Sequence, residues 1–199
     1  GRRFATRINS FASGASEYWP ELTGKPSLIQ MVQRAATVEG LTELDLNYPD
    51  HVGADPTETA RAVRDCGLSI SGLAMRYYTN PGFKRGAFTN PDPAVRREAI
   101  DLTKRGIDAA RAMGAPMMTL WLGQDGYDYA FQCDYPALWA AEVEGIAEVA
   151  AHDPDWALFG AFGVGLDASH IGPVWSSSIG QIVGRVPMGP TRVQSFDEL

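Results

Sequence analysis

One local theme recurs along the chain and limits the fold more than any other feature. A helical pattern ends at a glycine, and an apolar, β-rich run follows at once. This happens at Gly40 before Leu41-Thr42-Glu43-Leu44-Asp45-Leu46, and at Gly67 before Leu68-Ser69-Ile70-Ser71-Gly72-Leu73. It happens again at Gly114 before Met117-Met118-Thr119-Leu120-Trp121-Leu122. Glycine just past a helix takes the left-handed cap conformation at little steric cost, so each of these glycines reads as a stop signal. Phe4 to Ile8 reads as the first strand of the series.

The intervening helices carry start signals. Asp55-Pro56 and Asp92-Pro93 each place a capping carboxylate before a proline at the first helical position. After Asp92, residues Val95, Ala99, Leu102, Gly106, Ala110 and Met113 fall at steps of three and four, one face of a helix. Arg96, Arg97, Asp101, Lys104, Arg105, Asp108 and Arg111 take the other faces and read as a solvated surface. A first helix is expected near Pro26 to Val38. A fourth is expected near Tyr135 to Ala151, with Trp139, Val143, Ile146 and Ala150 turned inward.

Alternating strands and helices predict parallel strands joined by right-handed crossovers. An open doubly wound sheet and a closed barrel both satisfy that rule. The links from helix to strand are short. Those from strand to helix are long: Asn47 to Ala54, Met75 to Pro91 and Gly123 to Asp134. Long loops gathered on one face are how barrels carry function. No G-x-G-x-x-G follows the first strand, which weakens the dinucleotide-binding alternative. The expected fold class is therefore α/β, a parallel (β/α) barrel.

Composition narrows the partners. The 199-residue chain is 45% apolar, enough for a single domain with a sizeable core. Its net charge of -7 disfavours nucleic acid and anionic membrane surfaces. No run approaches the ~20 apolar residues of a membrane span, and Arg2 to Ser10 lacks the apolar centre of a signal peptide. Cys66 and Cys133 are far apart and read as free thiols of a cytoplasmic protein.

The long loops are rich in rings: Tyr48, Tyr77, Tyr78, Phe83, Phe88, Tyr127, Tyr129, Phe131 and Tyr135, with Trp19 and Trp121 at strand ends. Asn47, Asp50, His51, Arg76, Asn80, Gln124, Asp125 and Asp128 are interleaved with them. Aromatic walls with a few hydrogen-bonding groups suit a sugar or polyol, although many such rings simply pack loops onto the barrel rim. His51, beside Asp50, reads either as a base oriented by a carboxylate or as an ordinary loop histidine. Glu43 and Asp45 alternate with Leu44 and Leu46, so one set faces the lumen and the other the helices. Phe162 to Leu166 reads as a further strand that delivers Asp167-x-x-His170, a pair suited to a divalent cation or a substrate hydroxyl.

Four segments resemble the xylose isomerase-like barrels, a family of sugar isomerases, ketose 3-epimerases and inosose dehydratases. They are Leu44 to Pro49, Gly86 to Pro93, Leu120 to Tyr129 and Leu166 to His170. The resemblance implies a metal-dependent sugar isomerase or epimerase acting on a ketose or aldose, with Mn, Mg, Co or Zn at the mouth of the barrel. It implies Asp167 as a metal ligand, and His170, Trp121, Gln124 and Asn47 as substrate-binding residues. The chain departs from the family after the fourth helix, where a strand, a helix and a glutamate of the family have no counterpart. Ile171 to Arg192 is rich in Gly, Pro and Ser without a clear period, and Ser195-Phe196-Asp197-Glu198 reads as a capping box. The expectation is a partial barrel over residues 1–199, with four β/α units to residue 155 and a shortened part from 156. Two rival functions stand beside the isomerase: a catalytically incomplete sugar-binding fragment, and a related metal-dependent endonuclease. Unpaired edges of such a barrel predict a homo-oligomer.

Overall fold

Strands and helices alternate through the first 150 residues of a computed structural model that describes residues 3–123, 125–127, 130–153, 158–160, 163–164, 170–176 and 181–187. In order they are β1 (Phe4–Arg7), α1 (Ala15–Tyr18), α2 (Leu28–Ala35), β2 (Leu41–Tyr48), α3 (Pro56–Asp65), β3 (Ser69–Met75), α4 (Pro93–Met113), β4 (Met118–Thr119) and α5 (Tyr135–Ala150). The four strands form one parallel sheet in the order β1-β2-β3-β4. A parallel α/β unit is what the helix–glycine–strand repeat required.

The caps operate as local chemistry dictates. Asp55 accepts from the Thr57 backbone N–H at 2.8 Å, and Asp92 accepts from that of Ala94 at 2.8 Å. Gly114 ends α4 at φ 72°, which a residue with a side chain adopts only with strain. Helix α2 starts at a capping box formed by Ser27 and Gln30, one residue past the expected Pro26. The fourth expected strand is short. Only Met118 and Thr119 stay in the ladder, and the chain from Leu120 onward leaves it.

Packing fixes which face of the sheet is which. A β-carbon at Gly106 of α4 would lie 2.6 Å from Met75 Sδ, 3.2 Å from Tyr48 Cδ1 and 3.4 Å from Met118 Sδ. Tyr48, Met75 and Met118 therefore face the helices, and by the two-residue period so do Leu44, Leu46 and Leu73, all fully buried. Glu43, Asp45 and Asn47 take the opposite, concave face, which settles the choice that alternation left open. Register carries Arg7 (paired with Asp45), Ala74 (paired with Asn47) and Thr119 (paired with Ala74) to the same face.

Helix α5 reverses one expectation. Trp139, Val143 and Ile146, expected inward, are 64%, 60% and 40% exposed, while Ala150 is half-buried. The helix turns its Gly145 side inward instead. A β-carbon at Gly145 would meet Phe88 at 3.0 Å and Ile100 at 3.5 Å. Close approach to a ring, rather than the most apolar stripe, sets its orientation.

The chain divides into two compact units, residues 1–145 and 146–199. In the second, β5 (Leu158–Gly160), β6 (Gly163–Val164) and β8 (Gln181–Pro187) each pair antiparallel with β7 (His170–Ser176). The stretch from Ile171 that shows no clear period thus contains strands, supported by β-branched Ile171, Val174, Ile182, Val183 and Val186. Among the described residues no helix is long and apolar enough to cross a membrane.

Candidate functional site

The C-terminal ends of β1, β2 and β3 bring a polar cluster onto the concave face. Arg7 donates from Nη2 to Asn47 Oδ1 at 2.7 Å, and its Nε lies 3.7 Å from Asp45 Oδ1. The second distance is an ion pair but too long for a hydrogen bond. Arg76 follows β3 directly. Its backbone N–H donates to the Tyr48 carbonyl at 2.8 Å, which extends the ladder by one residue and puts Arg76 on the face of Ala74. The Arg76 guanidinium lies 4.7 Å from the centre of the Tyr78 ring.

His51 is tied into the same turn. Its backbone N–H donates to the Asn47 carbonyl at 2.9 Å, and its Nδ1 accepts from the Asn47 backbone N–H at 3.0 Å. A ring nitrogen that accepts carries no proton, so the ring is neutral and its proton sits on Nε2. Burial pushes its pKa down, with Arg76 and Arg7 adding to that direction against the opposing charge of Asp50. The Asp50 carboxylate accepts instead from the Thr79 hydroxyl at 3.2 Å. The base-and-carboxylate pairing of the two neighbours is therefore replaced by a backbone anchor.

Burial also holds the Asp45 carboxyl above the usual carboxylate range, against the pull of Arg7 and Arg76. Its Oδ1 is buried without a hydrogen-bond partner, as are Asn9 Oδ1, two residues past β1, and Arg76 Nε. Buried polar atoms are normally paired; among the described residues these three and Glu142 Oε2 are not. Asp45 offers acceptors, and Arg76 and the His51 Nε2–H offer donors.

The loop between β4 and α5 does something else. Asp125 accepts from the backbone N–H of Ala87 at 3.0 Å, from that of Thr89 at 2.6 Å and from the Thr89 hydroxyl. It holds the turn at Gly86 (φ 106°), where a β-carbon would lie 3.2 Å from its carboxylate. A cleft of about 250 Å³ beside it is lined by Leu122, Tyr135, Leu138, Trp139 and Glu142. Burial, then the charge of Asp125, pushes the Glu142 carboxyl up to about 7. Of the loop rings, Tyr77, Phe83 and Phe88 are core: Tyr77 meets the other two edge-on and shares a 2.6 Å hydrogen bond with Thr103.

The sequence-predicted site residues divide. Asn47 is on the concave face, fully buried, and organises Arg7 and His51. Trp121, two residues past β4, is 55% exposed. Gln124 and Asp167 lie outside the described residues. His170 opens β7 in the second unit, described by its backbone alone. Arg7, Asp45 and Glu142 were not among those predicted. The alternation Glu43-x-Asp45-x-Asn47 was their only sequence signal, and it reached Asp45 alone. Among the described residues no group of three His, Cys, Asp or Glu side chains could hold a metal ion.

Known proteins share this frame. The chain is 28% identical over 95 residues to xylose isomerase of Thermus thermophilus, covering 48% of this chain and 24% of that protein. It is 23% identical over 170 residues to a probable sugar isomerase of Mesorhizobium japonicum, covering 79% of this chain and 39% of that protein. It thus spans well under half the length of these curated relatives. In structure it resembles D-psicose 3-epimerase from Clostridium cellulolyticum, with a TM-score of 0.52 at 16% identity over 76% of this chain and 48% of that one. An L-ribulose 3-epimerase gives a TM-score of 0.52 at 15% identity, with 76% and 46% covered. Residues 35–155 match the family described as the xylose isomerase-like TIM barrel, and the chain belongs to that family.

Proposed function

We propose that the concave face at the ends of β1 to β3 binds a sugar, and that the chain serves a sugar isomerase or epimerase acting on a ketose or aldose. The observation that carries this reading is the trio of unpartnered buried atoms, Asn9 Oδ1, Asp45 Oδ1 and Arg76 Nε, in a cluster of alternating donors and acceptors. A polyol fits because each hydroxyl both donates and accepts. Membership of the family and the names of the relatives support the reaction class.

The divalent metal implied by the resemblance rests in this reading on Asp167 and His170, and Trp121 and Gln124 would border the substrate. When bound, such an ion would polarise sugar oxygens. This chain's own contribution at the first three strands is orientation of the sugar and a carboxyl, Asp45, whose raised proton affinity suits proton exchange. The test is conversion of a panel of ketoses and aldoses with Mn²⁺, Mg²⁺ or Co²⁺ present, alongside sugar-dependent thermal stabilisation. A panel with neither conversion nor stabilisation sinks the proposal. Stabilisation without conversion selects a second reading, a sugar-binding barrel that does not turn over.

The chain is further proposed to act in the cytoplasm as a homo-oligomer. Among the described strands, β1 pairs only with β2 and β4 only with β3, which leaves two open edges. The exposed rings and aliphatic groups of α5 lie beyond the β4 edge in sequence. A monomer mass in solution at micromolar concentration would remove the oligomer from the proposal.

A further inference from the structure

Arg76 stands apart from every other charged group of the concave face. Arg7 is committed to Asn47 and Asp45. Asp50 is committed to Thr79, and His51 is neutral with its Nδ1 occupied. Arg76 has no carboxylate within 4 Å among the described residues, and its Nε is buried without a hydrogen-bond partner. It is nevertheless held in place. Its backbone continues the β3 ladder through Tyr48, and its guanidinium rests over the Tyr78 ring at 4.7 Å. Stacking on a ring fixes the plane of the donor fork while leaving its N–H edge for something else.

A half-buried cation with an unpaired Nε–H is poorly matched to a neutral hydroxyl, which supplies one acceptor oxygen and no charge. A carboxylate or phosphate supplies two oxygens at the spacing of Nε–H and one Nη–H, and restores neutrality. Arg76 feels Arg7 as a second positive neighbour, and among the described residues neither Asp45 nor Asp50 comes within ion-pair distance of it.

From the orphaned Nε, the stacked guanidinium and the absence of an ion-pair partner among the described residues, we infer that the sugar bound by this face carries a terminal anionic group, a carboxylate or a phosphate, recognised by Arg76. The inference rests on the sugar-binding reading above and names the substrate class for that site.

The experiment is calorimetric titration of the purified chain with matched ligands: a neutral aldose or ketose, the corresponding sugar acid, and the corresponding sugar phosphate, at low and at physiological salt. The wild-type chain is expected to bind at least one charged form about tenfold or more tighter than the neutral sugar, as a charge-assisted bidentate contact implies. Arg76→Gln is expected to remove that preference, with the charged ligand losing about tenfold more than the neutral one. Arg76→Lys keeps the charge without the fork, and should retain part of the preference for phosphate but little for carboxylate. The acid and phosphate arms identify which anion is meant. Equal affinity for neutral and charged sugars, or equal losses for both in Arg76→Gln, overturns this inference and leaves the sugar site standing. Failure of every sugar to bind a folded wild-type chain overturns the sugar site itself, and this inference with it.

Discussion

Replacing Asp125 with alanine should loosen the loop before α4 and cost the protein about 2–4 kcal/mol. The carboxylate accepts from Ala87 N–H, Thr89 N–H and the Thr89 hydroxyl, and both donating residues are almost fully buried, at 0% and 6% exposure. Removing the acceptor strands two backbone donors where water does not readily reach, and each stranded buried donor costs about 1–3 kcal/mol. The hydroxyl can rotate to another partner and contributes little to the loss. Partial relaxation of the turn trims the sum to the quoted range. Asp125→Asn should cost only about 1 kcal/mol, because an amide oxygen in the Oδ1 position can still accept from both Ala87 and Thr89, and only the second Ala87 contact is lost to the NH₂. The assay is urea unfolding followed by fluorescence, paired with amide hydrogen exchange at Ala87 and Thr89. Both amides should lose protection in the alanine variant. A stability loss under 0.5 kcal/mol, with protection of both amides retained, would refute the view that Asp125 is a structural acceptor.

Three further outcomes follow from the same packing and polar contacts. Glu142 has a folded pKa of about 7 against an ordinary 4.5, so the folded state holds its proton more tightly. Its contribution is therefore full below about pH 4.5 and lost as pH rises through about 7. The loss should be about 1–2 kcal/mol after allowance for solvent screening of a half-buried group, and Glu142→Gln should flatten that part of the urea-midpoint profile. Gly106→Ala places a β-carbon 2.6 Å from Met75 Sδ. Overpacking of about 1–3 kcal/mol should exceed the helix-propensity gain of about 1 kcal/mol, so the melting temperature falls; an unchanged or raised value would contradict the packing of β3 on α4. Asp45→Asn removes a buried carboxylate with an orphaned oxygen, so stability should hold or rise slightly. Sugar affinity should fall about tenfold, and a variant that loses stability but keeps affinity would show Asp45 to be structural.

Features that depend on a few neighbouring residues could be read from the sequence. Asp55-Pro56, Asp92-Pro93 and Gly114 act through backbone chemistry within one turn, and the structure puts helix ends at each. The parallel order of β1 to β4 followed from alternation and short links. The inner face of α5 was different. Hydropathy singled out Trp139, Val143 and Ile146, whereas the helix packs through Gly145, and a residue without a side chain has no hydropathy signal. The two faces of β2 were equally hidden. A period of two says that Glu43, Asp45 and Asn47 share a side, but only the contact of Tyr48 with α4 says which side it is. Arg76 was visible as one polar residue among several in a long loop. Its separation from the others depends on partners far away in sequence.

Asp45 and Asp125 show why hydrogen-bond satisfaction separates function from scaffold better than motif does. Asp125 lies in the Leu120 to Tyr129 segment, one of the four that resemble the sugar isomerase family, yet its acceptors are filled by the chain's own donors. Those bonds hold the 86–90 turn against α4. Asp45 lies in an unremarkable strand, yet burial without a hydrogen-bond partner leaves one of its oxygens with unspent capacity. Folding tolerates that deficit, with its cost of about 1–3 kcal/mol, where another molecule removes it. The same criterion separates the arginines: Arg7 donates to Asn47 and positions it, while Arg76 Nε is left without a hydrogen-bond partner. On the proposed reading, the unfilled Asp45 oxygen on β2 and the unfilled Arg76 nitrogen just past β3 would together receive a molecule with a hydroxyl beside an anion.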